Sequence, residues 1–370
     1  SKQSVLLHGA TGSGKTEIYI QMIREVMESG SQVLLLLPEI ALTTQIVTRL
    51  KKVFGSQMGV YHSKYSDNER VEVWNGVLSG RFSFVVGVRS SIFLPFDSLG
   101  LIIVDEEHES SYKQFDPAPR FQARDSAIML AYFHQARTLL GSATPSFESY
   151  YNASQGKFGY VELTHRFGDA TMPQFHLADM AADKRKNLLK LDTTRVLREK
   201  IQDALSKQEQ VLIFQNRRGY SPYIQCEDCG WTGQCVQCDV SLTYHQFSEE
   251  LRCHYCGYKE KTPSSCPACG STDILVGTQM ITKGLDFGRV TVVGIWDGDR
   301  ILNFPDFRAG ERAYQQITQV AGRAGRREAQ GQVILQTRDP ETQMYAQVIK
   351  GDYFEFFNHE IHDRKKFYYP

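Results

Sequence analysis

The sequence predicts an α/β protein of two lobes, each a parallel sheet covered by helices, with a small cysteine-rich insert in the second. Short apolar runs alternate with amphipathic stretches over the first 150 residues, and the alternation resumes from Thr194 to Gln336. The longest apolar run, Val33-Leu34-Leu35-Leu36-Leu37, stops at Pro38 and reads as a strand buried on both faces. All eight cysteines fall between 226 and 269, in four Cys-x-x-Cys pairs.

In chain order, the first lobe (1–164) has strand candidates at 5–8, 33–37, 84–87, 101–104 and 138–140, with helices over 17–27 and 42–54. A polar stretch, 165–195, is expected to be a connector. The second lobe (196–225 and 271–350) takes a helix over 194–206, strands at 211–214, 274–277, 290–295 and 333–336, and a helix near 311–321. The insert occupies 226–270, and 351–370 are expected to begin a C-terminal segment. No helix and strand lie between 211–214 and 274–277, where a complete parallel lobe needs them.

Lys plus Arg and Asp plus Glu both total 42 in this 370-residue chain. Global attraction to nucleic acid is therefore not visible, and any DNA-binding surface must be a local patch. No apolar run approaches the roughly 20 residues of a membrane span. The chain opens on a strand and a glycine-rich turn, without a cleavable signal sequence or an initiator methionine, so an excised fragment is expected.

Gly9-Ala10-Thr11-Gly12-Ser13-Gly14-Lys15-Thr16 matches G-x-x-x-x-G-K-[ST], with a strand before it and a helix after it. Its glycines let backbone N–H groups converge on phosphate oxygens at a helix N-terminus. Lys15 would bridge the β- and γ-phosphates of ATP, and Thr16 would offer its hydroxyl to Mg²⁺. The apolar run 101–104 leads into Asp105-Glu106-Glu107-His108. Asp105 is thereby placed beside Mg²⁺, and Glu106 where it can orient or deprotonate a water. His108 suits a coupling or structural role. In Gln319-Val320-Ala321-Gly322-Arg323-Ala324-Gly325-Arg326, two arginines three residues apart would share a helical face and reach a transferring phosphoryl group from the second lobe.

The cysteine pairs are Cys226/Cys229, Cys235/Cys238, Cys253/Cys256 and Cys266/Cys269. With no secretion signal they read as zinc ligands rather than disulfides, in a cytoplasmic protein. Four thiolates satisfy one tetrahedral zinc, so eight make two closed structural sites. Five residues separate the first two pairs and 14 the second and third, which predicts nesting. Cys235, Cys238, Cys253 and Cys256 form the inner site, and Cys226, Cys229, Cys266 and Cys269 the outer. The nearby Trp231, Tyr244, His245, Arg252, His254, Tyr255 and Tyr258 are expected mostly to pack this small module.

In order, residues 9–16, Asp105-Glu106-Glu107-His108, Gly141-Ser142-Ala143-Thr144-Pro145 and residues 319–326 resemble the hallmark motifs of superfamily 2 helicases. Pro38-Glu39-Ile40-Ala41-Leu42-Thr43, residues 277–287 and the four cysteine pairs narrow the resemblance to the PriA family of bacterial primosomal replication-restart helicases. The resemblance covers nearly the whole chain. It implies two RecA-like P-loop lobes and a monomeric, ATP-dependent 3′-to-5′ DNA helicase working at stalled forks in the bacterial cytoplasm. Single-strand-binding protein and primosomal proteins would be its partners. It implies that Lys15, Thr16, Asp105, Glu106, Arg323 and Arg326 serve hydrolysis, and that the loop 9–16 and Gln319 hold the nucleotide. Ser142, Thr144 and Lys283 would couple hydrolysis to DNA. The stretch with Tyr112, Lys113, Phe115, Arg120, Phe121 and Arg124 resembles an aromatic-rich loop sensing single-stranded DNA, where rings stack on bases and cations meet phosphates.

Relative to that family, N-terminal DNA-binding domains, a C-terminal domain and a helix–strand stretch near 270–273 are expected to be missing. Two alternatives share these residues: a double-strand DNA translocase that does not unwind, and a zinc-dependent DNA-binding or assembly module with a degenerate ATPase.

Overall fold

The computed structural model describes residues 2–10, 12–39, 44–62, 65–163, 173–215, 233–238, 242–245, 250–253, 256–261, 263, 267–268, 274–277, 290–325 and 330–369. The first sheet holds β1 (Ser4–Gly9), β2 (Gln32–Leu36), β3 (Met58–Tyr61), β4 (Phe84–Gly87), β5 (Leu99–Asp105), β6 (Arg137–Ser142) and β7 (Gly159–Leu163), ordered β3-β4-β2-β5-β6-β1-β7. Every pairing is parallel. Helices α1 (Lys15–Glu28), α2 (Thr44–Phe54), α3 (Asp67–Leu78), α4 (Ala123–Phe133) and α5 (Phe147–Ser154) make the crossovers and cover it. Because strand side chains alternate, Leu34, Leu36, Ile102, Val104 and Leu140 enter one core. Val33, Leu35, Leu101, Ile103 and Leu139 enter the core on the opposite face. Continuous apolar strands are what a sheet buried on both faces requires.

The second sheet contains β8 (Gln174–Asp179) and β9 (Gln210–Phe214), and three further strands beyond the insert. The insert's own sheet is antiparallel, with β10 (Thr243–His245), β11 (Glu250–Arg252) and β12 (Lys259–Lys261). With β13 (Ile274–Gly277), β14 (Val290–Ile295) and β15 (Gln332–Thr337), the second sheet runs β13-β9-β14-β15-β8, all parallel. Its helices are α6 (Met180–Arg185), α7 (Arg195–Ser206), α8 (Asp299–Leu302), α9 (Ala309–Ala321), α10 (Gln343–Lys350) and α11 (Tyr353–Lys366). The chain passes from β9 to the edge strand β13 through the cysteine insert, and residues 270–273, where a stretch was expected to be missing, lie outside the described residues. No helix among the described residues is long and apolar enough to cross a membrane.

Three expectations are corrected. The connector 165–195 contains β8, which pairs along its length with β15. Tyr353, Phe356 and Phe357 of α11 pack into the second lobe's core, so 351–370 do not simply begin a separate segment. Helix α9 ends at Ala321 with Gly322 as its cap, leaving Arg323 in the following turn instead of on a helical face.

Aromatic rings from both lobes meet at their junction, Phe147 and Tyr150 of α5 against Tyr353, Phe356 and Phe357 of α11. Phe147, the first residue of α5, is buried in the second lobe's core, with its ring centroid 5.5 Å from Phe356 and 5.2 Å from Phe357. The Arg364 guanidinium lies 4.4 Å from the Phe147 centroid and donates to Glu311 Oε2 at 2.8 Å, while Glu311 Oε1 accepts from the Phe147 N–H at 3.0 Å. Truncating a buried phenylalanine costs about 3–5 kcal/mol through lost transfer energy and an unfilled cavity. Phe147→Ala is therefore expected to lower the urea midpoint of the second lobe's unfolding markedly, read by intrinsic fluorescence.

Candidate active site

In an open parallel sheet a ligand site forms beyond the carboxyl ends of the strands, and three neighbouring strands converge there. Gly9 ends β1, Asp105 ends β5 and Ser142 ends β6; in register Asp105 lies opposite Gly141, and His8 opposite Ser142. The turn after β1 stands in left-handed backbone at Gly12 (φ 81°) and Gly14 (φ 88°), where a side chain would be strained. It delivers the first residue of α1, Lys15, back over the loop, its ammonium donating to the Gly9 carbonyl at 2.6 Å. Thr11 lies outside the described residues.

Asp105 accepts from the Tyr19 hydroxyl at 2.8 Å. Burial, with the Glu106 charge next, pushes its carboxyl up to about 6, while Lys15 and the Tyr19 hydroxyl pull it down. Glu106 sits in left-handed backbone (φ 47°), an arrangement that costs roughly 1 kcal/mol or more and re-aims its side chain at the strand end. Ser13 Oγ, Glu106 Oε2 and Thr144 Oγ1 are buried without a hydrogen-bond partner among the described residues. These orphaned oxygens, the folded-back ammonium of Lys15 and the Asp105 carboxylate at the strand end fit a magnesium–triphosphate group.

The third residue of the acidic motif, Glu107, is fully buried. It accepts from the Ser146 N–H at 2.6 Å, Ser146 Oγ at 2.9 Å, Ser149 Oγ at 2.7 Å and Arg124 Nη1 at 3.2 Å. Burial alone would lower Arg124, but the Glu107 and Asp125 carboxylates hold it above its ordinary value. His108 Nδ1 shares a hydrogen bond with Ser142 Oγ at 2.7 Å, and that oxygen accepts from Thr144 N–H at 3.0 Å. From the second lobe, Tyr353 donates to the Pro145 carbonyl and Arg308 pairs with Glu148. Gln315 Nε2 lies 3.5 Å from the Thr144 carbonyl, and Gln319 is one turn further along that face of α9.

The structure separates the residues expected to meet DNA into two groups. Tyr112 is only 1% exposed and donates to the Leu36 and Asp105 carbonyls at 3.0 and 2.6 Å, so its ring is not available to a base. Arg124 is likewise committed to Glu107 rather than to a phosphate. Both are corrected to buried links between the loop and the acidic motif. Phe115, by contrast, is 70% exposed, and Arg120 is exposed. Lys113 and Phe121 bracket this tip, with Gln114 N–H bonding the Phe121 carbonyl at 2.9 Å. Lys283 and Arg326 lie outside the described residues; Arg323 is half-buried in the turn after α9.

Sequence reasoning missed Tyr19, His8 and the serines around Glu107. His8 bridges β1 to the turn after β6, with Nε2 3.2 Å from the Ala143 carbonyl and Nδ1 2.9 Å from Tyr160 Oη. Tyr19 carried one signal: it follows Lys15 by four residues and so shares its face of α1.

In the insert, the sulfurs of Cys235, Cys238, Cys253 and Cys256 all lie within 4.8 Å of one another. Tetrahedral zinc needs sulfurs about 3.8 Å apart, so the four fit one ion. The Cys256 thiol beside it pushes the Cys238 thiol up to about 12, so metal binding would displace protons. Cys226, Cys229, Cys266 and Cys269 lie outside the described residues.

Removing Arg124 would strand the Glu107 carboxylate in the core, at a cost of about 3–5 kcal/mol. Arg124→Ala is expected to lower the thermal midpoint of the first lobe, and Glu107→Gln in the same chain to restore part of it. A double variant no more stable than Arg124→Ala alone would contradict the pairing.

Residues 1–153 match the DEAD/DEAH box helicase family, and residues 235–261 match the PriA DNA helicase Cys-rich region. The replication restart protein PriA of Bacillus subtilis is 41% identical over 416 positions, covering 99% of this chain and 51% of that protein. The Haemophilus influenzae protein of the same name is 40% identical over 402, covering 95% and 54%. The chain thus spans about half the length of the curated relatives it matches. Among solved structures, RecG bound to a three-way DNA junction is similar in fold (TM-score 0.56, 18% identity, 97% of this chain and 43% of that one). So is the helicase MrfA bound to DNA (TM-score 0.54, 16% identity, 96% and 46%). With both family regions in their expected places and such identity across nearly all its residues, the chain belongs to the PriA family of replication restart proteins.

Proposed function

We propose that the chain is the ATP-hydrolysing core of a DNA helicase of replication restart, moving 3′ to 5′ on single-stranded DNA at stalled forks. The observation that carries this is the convergence of the phosphate loop, the Asp105–Glu106 pair and the turn after β6 at adjacent strand ends, with the second lobe packed on that turn. Lys15 would exchange the Gly9 carbonyl for phosphate oxygens. Thr16 and Asp105 would hold Mg²⁺, which when bound neutralises charge on the triphosphate. Glu106, already turned inward, would orient the attacking water. Arg323 and Arg326 would meet developing charge from the second lobe, so that hydrolysis depends on how the lobes sit. Phe115, Arg120, Lys113 and Phe121 would engage bases and phosphates of DNA. Single-strand-binding protein and primosomal proteins would be its partners, in the bacterial cytoplasm.

The inner four cysteines, and by their matching spacing the outer four, would each hold a structural Zn²⁺ that folds a module with little apolar core of its own.

ATP hydrolysis measured with and without single-stranded DNA tests the motor. We expect stimulation by DNA, and a loss of about 100-fold or more in Lys15→Ala; a rate unchanged by that substitution would refute the site. Metal analysis tests the insert. About two zinc equivalents per chain are expected, falling to about one in Cys253→Ser.

A further inference from the structure

One buried side chain touches the site without belonging to any of its motifs. Tyr19 is 2% exposed in α1, one turn beyond Lys15, and its hydroxyl donates to Asp105 Oδ1 at 2.8 Å. The space for that hydroxyl is made by a glycine. A Cβ on Gly141, the residue opposite Asp105 in β6, would lie 1.8 Å from Tyr19 Oη and 2.9 Å from its Cζ. Gly141 has no left-handed backbone to explain it, so the glycine is required for room rather than for conformation. The first turn of the phosphate-loop helix, the end of β5 and the end of β6 are therefore fitted together around one phenol.

We infer that Tyr19 is a positioning residue, holding the Asp105 carboxylate in the orientation that receives the divalent cation, with Gly141 as the notch that admits its hydroxyl. This rests on Asp105 being the metal carboxylate of the proposed active site. A hydrogen bond to a ligand oxygen fixes one lone pair and leaves the others directed, which removes the cost of orienting the carboxylate when the cation arrives. Groups that orient metal ligands in this way change metal affinity by roughly 10- to 100-fold when removed.

The test is Mn²⁺ binding to the intact chain with bound ADP, followed by electron paramagnetic resonance of free Mn²⁺, beside ADP binding without metal. Tyr19→Phe keeps the ring and removes only the hydroxyl. It is expected to weaken Mn²⁺ binding about 10-fold or more while metal-free ADP binding stays as in wild type. Gly141→Ala is expected to weaken it in the same direction, and the double variant to fall short of the product of the two defects. Asp105→Asn separates the premises. If it binds Mn²⁺ like wild type, the metal-carboxylate reading itself fails. If it loses Mn²⁺ while Tyr19→Phe binds normally, the role given to Tyr19 is overturned. Fully multiplicative defects of Tyr19→Phe and Gly141→Ala would overturn the notch.

Discussion

A carboxylate with no contact to water is tolerated in a protein interior only if a cation and several donors surround it, and Glu107 is such a group. Its four donors come from Arg124 on α4 and from Ser146 and Ser149 at the start of α5. Satisfying it therefore fixes the turn after β6 against the turn after β5. Ser146 is also the N-cap of α5, so the same interaction aims Phe147 into the second lobe. One buried charge thus sets the relation between the acidic motif, the turn from Gly141 to Pro145 and the surface on which the second lobe rests.

The polar groups of the cleft are arranged differently. Glu107 accepts from four donors, whereas among the described residues Ser13, Glu106 and Thr144 keep buried oxygens without hydrogen-bond partners, and Lys15 turns back on its own loop. A saturated network is rigid, and unsatisfied groups are poised for a ligand. The contrast puts the fixed frame and the binding groups within a few residues of each other along the same strand ends. Nucleotide-dependent change at Glu106 would then be felt at the lobe junction without passing through flexible chain.

Much of this was legible in the sequence. The strands buried on both faces announced themselves as apolar runs, and the phosphate loop, acidic motif and cysteine pairs were recognisable by spacing. Three of the edge strands were not. β3, β7 and β8 are each terminal in their sheets, and Gly159–Leu163 and Gln174–Asp179 carry mostly exposed or half-buried residues. Tyr112 and Arg124 were misread because an aromatic or cation in a loop looks the same whether it faces solvent or closes a buried network. The buried roles of Glu107 and Phe147 were invisible for a related reason. Their partners lie 17 to 42 residues away for Glu107 and more than 150 away for Phe147, and no local pattern marks contacts of that range.

In the proposed motor this buried network would carry the effect of DNA to the hydrolysis site. That role is tested most directly by the ratio of ATP hydrolysis rates with and without single-stranded DNA in Glu107→Gln. That variant keeps the side chain's shape and weakens its charge-assisted bonds. Basal hydrolysis should persist and the stimulation by DNA should largely disappear. Stimulation equal to that of the wild type, in a folded variant, would contradict it.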